Sequence, residues 1–397
     1  MKLADRMDCL GTETAFAVSA EASNLEAKGV KIYPFHLGDI NLETPKTIRS
    51  AALEAIESGK TGYCPAPGII ELRKALAEDV SNSRNVKYTS NNVSVQSGGK
   101  PVISKFIMSK MNPGDRVLYP NPGYPIYESQ IEFHGGIAHP YGYLDTDDGL
   151  VLDFDSIEQG IKEGAKIIFY NNYNNPTGAS SSISEMKKLA ALCISNDLFL
   201  FSDEAYFDTL FEGESHSIVS MPNMRERSLI LYTFSKKFAM TGWRLGAAIG
   251  PSDIIDEISR LNVNDESCTT HFIQHAGVAG LKGSQDEVKK IIRILKERRD
   301  LAISILKTIE GIEVHTPVAG FYLFPKITEA MKNRGFNDLE EFRKTALKET
   351  GVSFCGRHHF GKPLDNENEH YIRLAFSGIS KSHLEEGLLR FKDWIDY

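Results

Sequence analysis

Short apolar runs recur along the first two thirds of the chain, separated by segments whose apolar residues return every three or four positions. "NVSVQ" (92–96), "RVLYP" (116–120), "KIIFYNNY" (166–173), "LFLFSDEAY" (198–206), "LILYTFS" (229–235) and "LGAAIG" (245–250) have the length and residue types of strands. "ISEMKKLAALCISND" and similar segments between them have helical spacing. Strands covered on both faces read as near-continuous apolar runs, so this alternation predicts an α/β layer around a mostly parallel sheet. After about residue 285 the texture changes. "DEVKKIIRILKERRDLAISILKTI" predicts a long amphipathic helix, and "GFYLFP" and "YIRLAFS" predict shorter strands, so a smaller α+β domain is expected there. The expected division is an N-terminal arm and small-domain segment over 1–45, a large domain over 46–285 and a small C-terminal domain over 286–397.

Composition narrows the partners. The 397 residues include 41% hydrophobic and 25% charged side chains, enough for a large core. The formal net charge of −8 supplies no basic field for nucleic acid. The start, "MKLADRMDCL", lacks the apolar stretch of a secretory signal, and no run approaches the roughly 18 apolar residues of a membrane span, so a cytoplasmic protein is expected. Cys9, Cys64, Cys193, Cys268 and Cys355 are scattered, odd in number and without a CxxC pair. Neither a disulfide framework nor a metal site is predicted from them.

Ligands of α/β folds collect at the carboxyl ends of the strands. Four segments there carry polar chemistry. "SVQSGGKPVISKFI" leads a strand through Ser97, Gly98, Gly99 and Lys100 into a helix with Pro101 in its first turn, a turn that can present N–H groups to an anion or simply connect two elements. In "FLFSDEAYF", Asp203 ends an apolar strand, either as a loop acid or as the partner of a positive group. "YNNYNNPTG" displays more amide and phenol groups than a Pro-Gly turn requires. In "EHYIRLAFS", Arg373 interrupts an apolar strand, as an edge residue or an anion binder. The stretch "TFSKKFAMTGWRLG" (233–246) adds two adjacent lysines, a pairing that by itself reads as a solvated surface.

The order SGGK, NPGY, NNPTG, SDEAY, SKKFAMTGWR and YIRLAFS resembles the class I aminotransferases, the pyridoxal-phosphate enzymes of the aspartate aminotransferase fold, over nearly the whole chain. The resemblance implies a fold type I large domain with a mostly parallel sheet, a small domain, and a homodimer with shared active sites. It places the cofactor-linked lysine on Lys236, two residues before the F-x-M-T-G-W-R run. In an extended segment neighbouring side chains point opposite ways, so Lys237 is expected to face away. Asp203 matches the acid paired with the cofactor's ring nitrogen, and Asn175 and Tyr206 match the hydrogen-bonding partners of its phenolic oxygen. Tyr124 matches the aromatic stacked on the ring. Ser97, Gly98, Gly99, Lys100, Ser235 and Arg244 match the phosphate cup, and Tyr63 matches the tyrosine that reaches the neighbouring subunit's phosphate. Arg373 matches the residue that grips the substrate α-carboxylate in a two-point fork, with Gly38 and Asn175 beside it.

Two stretches depart from the family pattern. "GDINLETP" has Asn41 where many relatives carry a proline and an acid nearby, and "FCGRHHFGKPLDNENEHY" carries Arg357, His358 and His359 in a row. Adjacent histidines are not expected to share a face and no third ligand is apparent, so no metal is predicted. Arg357 is the favoured reader of a substrate's distal carboxylate, with polar groups around Asn41 as the alternative.

The implied activity is transfer of an amino group from an L-amino acid, such as aspartate or an aromatic one, to a 2-oxo acid, with 2-oxoglutarate the expected acceptor. It proceeds by a ping-pong sequence. β-Elimination of the carbon–sulfur lyase type on the same fold is the alternative. No membrane or nucleic-acid partner is expected.

Overall fold

The apolar runs form the centre of the molecule because each is covered on both faces by helices. A computed structural model describes residues 2–11, 15–365 and 367–397 of the chain. Seven strands make one sheet in the order Val93–Gln96, Gly246–Ile249, Ser228–Thr233, Phe199–Asp203, Ala165–Asn171, Arg116–Pro120 and Ile137–Tyr141. The last five run parallel, and Gly246–Ile249 is antiparallel to both of its neighbours. The antiparallel strand therefore begins where its neighbours end, with Gly246 opposite both Gln96 and Thr233. That reversal brings the TGWR stretch to the carboxyl edge of the sheet.

Within Ser228–Thr233, Phe199–Asp203 and Gly246–Ile249 every residue is buried, as a sheet sandwiched by helices demands. Helix Lys100–Lys110 follows the Ser97–Gly99 turn and carries its proline in the first turn, where the missing N–H costs nothing. The strand Ile137–Tyr141 escapes the sequence pattern because His139 and Pro140 interrupt its apolar run and Ile137 is exposed at the sheet edge.

A second apolar cluster joins Tyr33, Phe35 and Ile40 to the helices Asp286–Leu306, Leu339–Thr350 and Lys381–Asp396. A three-stranded sheet, Tyr322–Leu323, Ile372–Ala375 and Cys355–Gly356, lies in this part, and the segment Tyr33–Pro34 pairs in parallel with Val352–Ser353. Among the described residues no helix is long and apolar enough to cross a membrane.

Candidate active site

Three parallel strands end side by side in Asn171, Asp203 and Thr233. The fourth approach is the turn after Gln96, where Gly98 has φ +99°, a left-handed conformation that glycine tolerates best. A Cβ at Gly98 would lie 2.1 Å from Arg244 Nη2, so the bare backbone is what lets the guanidinium lie against this turn. Arg244 is itself left-handed (φ 57°) and donates from Nη1 to the Thr241 carbonyl at 2.8 Å.

These ends surround a cavity of about 440 Å³. Gly38, Gly99, Lys100, Tyr124, Asn175, Asp203, Tyr206, Ser235, Lys236, Arg244 and Arg373 all line it, drawn from segments more than 300 residues apart. Gly98 is packed behind the wall against Arg244, and neither Ser97 nor Tyr63 lines the cavity within one chain. Tyr63 is 89% exposed.

Asp203 forms the deep end. Its Oδ2 accepts the Tyr127 hydroxyl at 2.6 Å and its Oδ1 accepts the Ala205 N–H at 3.1 Å. Burial pushes its carboxyl up to about 6, against the lowering effect of those two donors. Nearby, the hydroxyls of Tyr206 and Tyr322 lie 3.0 Å apart. Burial and then the Tyr322 neighbour hold the Tyr206 phenol well above its ordinary range, so it stays protonated.

The two lysines are separated by a helical turn, not by strand alternation as the sequence suggested. Phe234–Lys237 is a short α-helix whose N-cap, Thr233, accepts from the Ser235 N–H at 3.2 Å. Lys236 turns into the cavity and donates from Nζ to the Gly38 carbonyl at 3.0 Å. Lys237 points behind it to Asp208 at 3.0 Å and Asp79 at 3.4 Å, so it is a largely buried ion-pair member, not a solvated surface lysine.

Arg373 enters from the strand Ile372–Ala375. Its guanidinium carbon lies 4.7 Å from the Tyr322 ring centroid and 4.6 Å from that of Phe360, an aromatic slot that fixes its plane. Nη1 donates to Asn175 Oδ1 at 3.1 Å and Nη2 donates to the His36 carbonyl. Its Nε is buried with no hydrogen-bond partner among the described residues.

The model of the family described as aminotransferase class I and II matches residues 31–391. The chain belongs to that family. This aminotransferase is 33% identical to the probable aspartate/prephenate aminotransferase of Aquifex aeolicus over 98% of each chain. It is 32% identical to the aspartate aminotransferase of Sulfolobus acidocaldarius over 96% of each. Its fold matches the Thermus thermophilus aspartate aminotransferase with maleate at a TM-score of 0.90, with 28% identity over 99% of both chains. It matches the alanine aminotransferase from Pyrococcus furiosus at 0.91, with 29% identity over the full length of both. The aminotransferase is accordingly a pyridoxal-phosphate-dependent enzyme.

The donor set fits that cofactor. A buried carboxylate at the deep end suits a cationic ring nitrogen, a cavity-facing lysine suits an aldehyde, and the glycine-held arginine beside a helix N-terminus suits a phosphate. The buried Arg373 Nε has no hydrogen-bond acceptor among the described residues, which leaves a donor available to a bound anion.

Two expectations about substrate reading fail on geometry. Arg357 is buried away from the cavity, with Nε and Nη2 forked onto Glu367 at 2.5 and 2.7 Å and Nη1 on the Gly361 carbonyl at 3.0 Å. A two-point partner already occupies it, so it is not the reader of a distal carboxylate. Asn41 is likewise outside the lining and accepts from Arg298 Nη1 at 2.9 Å. The adjacent histidines do share a side: a turn sets their ring centroids 4.1 Å apart, and Glu340 provides the third group, all three offering ligand atoms within 4.8 Å of one another. Glu340 is also held by Arg343 through two contacts of 2.8 and 2.6 Å.

Tyr127 and Tyr322 were missed in the sequence. Tyr127 stands three residues after Tyr124 and both line the cavity, and Tyr322 lies within "GFYLFP".

Proposed function

We propose that this enzyme takes the amino group of a dicarboxylic L-amino acid, aspartate or glutamate, and passes it to a 2-oxo acid, with 2-oxoglutarate as acceptor, in two half-reactions at one site. The observation that carries this reading is the set of cations on the cavity wall: Lys100, Lys236, Arg244 and Arg373. In this reading Lys236 makes the cofactor link, Arg244 takes the phosphate, Arg373 takes the α-carboxylate, and Lys100 adds positive charge for a second carboxylate. The Lys100 ammonium stands 5.9 Å from the Tyr124 ring centroid. Relatives named aspartate aminotransferase support the same donor.

When bound, pyridoxal phosphate supplies an electron sink that weakens the Cα–H bond of the attached amino acid. Lys236 would hold it through Nζ and, once released, move the proton leaving Cα. Asp203 keeps the ring nitrogen protonated. Tyr206, itself protonated, and the Asn175 amide NH₂ donate to the phenolic oxygen. Asn175 has its carbonyl turned to Arg373, so one side chain orients both the cofactor and the carboxylate fork. Tyr124 covers the ring face. Arg244, Ser235 and the backbone of Ser97, Gly98, Gly99 and Lys100 take the phosphate, and Arg373 with Gly38 takes the substrate α-carboxylate.

Tyr63 reaches a partner subunit's phosphate in this reading, which makes the enzyme a homodimer with shared sites; its exposure on the single chain supports this. The division 1–45, 46–285 and 286–397 is supported by the apolar cluster that ties Tyr33 and Phe35 to the C-terminal helices. The cytoplasm is its proposed location.

Rapid mixing of the holoenzyme with single amino acids, followed through the cofactor's visible absorption, tests the donor. Aspartate and glutamate should react faster than alanine and phenylalanine, and Lys100→Met should slow the first two at least about tenfold more than the others. Faster reaction with alanine or phenylalanine in the unaltered enzyme would overturn the dicarboxylate reading.

A further inference from the structure

Tyr322 reaches both halves of the site from the three-stranded sheet. It opens the strand Tyr322–Leu323, which runs antiparallel to the strand bearing Arg373 and sets Tyr322 opposite Ala375. The residue is buried and lines the cavity. Its hydroxyl lies 3.0 Å from that of Tyr206, which follows the end of the large-sheet strand Phe199–Asp203. The two rings meet edge to face, with centroids 5.6 Å apart and 78° between their planes. The same Tyr322 ring lies 4.7 Å from the Arg373 guanidinium carbon and forms one wall of the slot that Phe360 completes. Gly38 makes room for the hydroxyl. A Cβ there would stand 2.1 Å from Tyr322 Oη, and the Gly38 carbonyl is the acceptor for Lys236 Nζ. One side chain thus touches the phenol expected at the cofactor's oxygen and the arginine expected at the substrate carboxylate.

We propose, on the roles given above to Tyr206 and Arg373, that Tyr322 is a positioning residue with two separable parts: its hydroxyl aims the Tyr206 hydroxyl at the cofactor's phenolic oxygen, and its ring sets the plane of the Arg373 fork. A phenol has one hydrogen to give. When Tyr206 donates its own to the phenolic oxygen, it accepts from Tyr322, so Tyr322 is the donor of the pair. A donor behind Tyr206 fixes the rotation of its hydroxyl and strengthens its outgoing bond. The consequence can be read without turnover. The phenolic oxygen and the nitrogen of the Lys236 link share a proton, and Tyr206 stabilises the charge on the oxygen once that proton leaves. Weakening Tyr206 as a donor therefore moves the loss of the proton to higher pH. The ring acts on the other half of the site: a guanidinium held between two aromatic faces keeps one orientation, which a two-point carboxylate contact requires.

The test titrates the visible absorption of the resting holoenzyme with pH, in the absence of substrate, for the parent, Tyr206→Phe, Tyr322→Phe and the double variant. Tyr206→Phe should raise the pH midpoint, and Tyr322→Phe should raise it by a smaller amount, about half a unit. The double variant should match Tyr206→Phe alone, because Tyr322 acts through Tyr206. A midpoint unmoved in Tyr322→Phe while Tyr206→Phe shifts it, or shifts that add in the double variant, would overturn the hydroxyl's role. If Tyr206→Phe itself leaves the midpoint unmoved, the reading of Tyr206 fails and this role falls with it. The ring is tested by the concentration of amino acid that half-saturates the first half-reaction. Tyr322→Phe keeps the ring and should leave that concentration within about twofold of the parent, whereas Tyr322→Leu should raise it about tenfold. Equal values for Phe and Leu would overturn the ring's role, and an unchanged value in Arg373→Lys would instead remove Arg373 from the carboxylate. Thermal denaturation of each loaded variant verifies that it folds.

Discussion

The Tyr127 hydroxyl donates to the Asp203 carboxylate at 2.6 Å in a fully buried pair, so the acid that faces the cavity is held from behind by a phenol on helix Ile126–Phe133. That bond favours the charged carboxylate, and burial opposes it. Removing the phenol in Tyr127→Phe should raise the Asp203 pKa, moving the acid limb of kcat/KM upward by about one to two pH units. An unmoved limb, measured with the cofactor saturating, would place Asp203 outside the titration that governs rate.

Replacing the acid itself is more severe. Asp203→Asn should lower turnover on the order of a thousandfold while leaving the fold intact, because the neutral amide no longer holds a proton on the ring nitrogen. Circular dichroism and turnover measured on one sample separate the two effects. Near-normal turnover would make the acid structural.

The same group affects the stability of the cofactor-free protein. A carboxyl raised from 3.8 to about 6 in the folded state binds its proton more tightly there than in the unfolded chain. Its contribution is present below about pH 4 and is lost as pH rises through 6, a change of about 3 kcal/mol. Urea denaturation at pH 4.5 and 6.5 should show the larger part of this loss, about 2 kcal/mol, in the parent protein and a smaller one in Asp203→Asn. Equal slopes in the two proteins contradict the assignment.

Behind the cavity, Arg84 donates from Nε to Glu204 at 2.9 Å, both fully buried, with the guanidinium carbon 3.6 Å from the Phe207 ring centroid. Arg84→Ala leaves Glu204 charged and unpaired beside Asp203, and should cost about 3–5 kcal/mol in denaturant unfolding. The double variant Arg84→Met/Glu204→Gln should recover most of that loss. If the double variant is no more stable than the single, the pair is not what the arginine supplies.

Much of this site was legible because strand ends announce themselves. Asp203 closes the apolar run Phe199–Asp203, and the Gly98–Lys100 turn carries its own glycine signature, whereas Asn171 and Thr233, at the ends of neighbouring strands, were not singled out. Arg373 stood out as a charge in an apolar strand. What sequence could not supply was partnership across distance. Arg357 looked available because Glu367, its carboxylate partner, sits in a loop with no periodicity. Lys237 looked solvated because Asp79 and Asp208 lie on other elements. The strand alternation assumed for the lysine pair failed because Thr233 caps a helical turn at that point, which a run of β-type residues conceals.

The lysine pair gives a direct comparison. Lys236→Ala should abolish turnover, and borohydride should fix the cofactor to Lys236 alone in the parent enzyme. Lys237→Ala should keep most activity while losing about 1–3 kcal/mol of stability, since it leaves Asp79 and Asp208 without their cation. Peptide mapping that found the label on Lys237 would reverse the two roles.

The most direct measurement of the central claim is a single turnover without acceptor. Holoenzyme mixed with excess aspartate should release one equivalent of oxaloacetate per active site, retain the amino group, produce no ammonia, and stop until 2-oxoglutarate is added. Continuous release of ammonia with no need for an acceptor, from aspartate or from cysteine, would contradict amino-group transfer and identify an eliminating lyase instead.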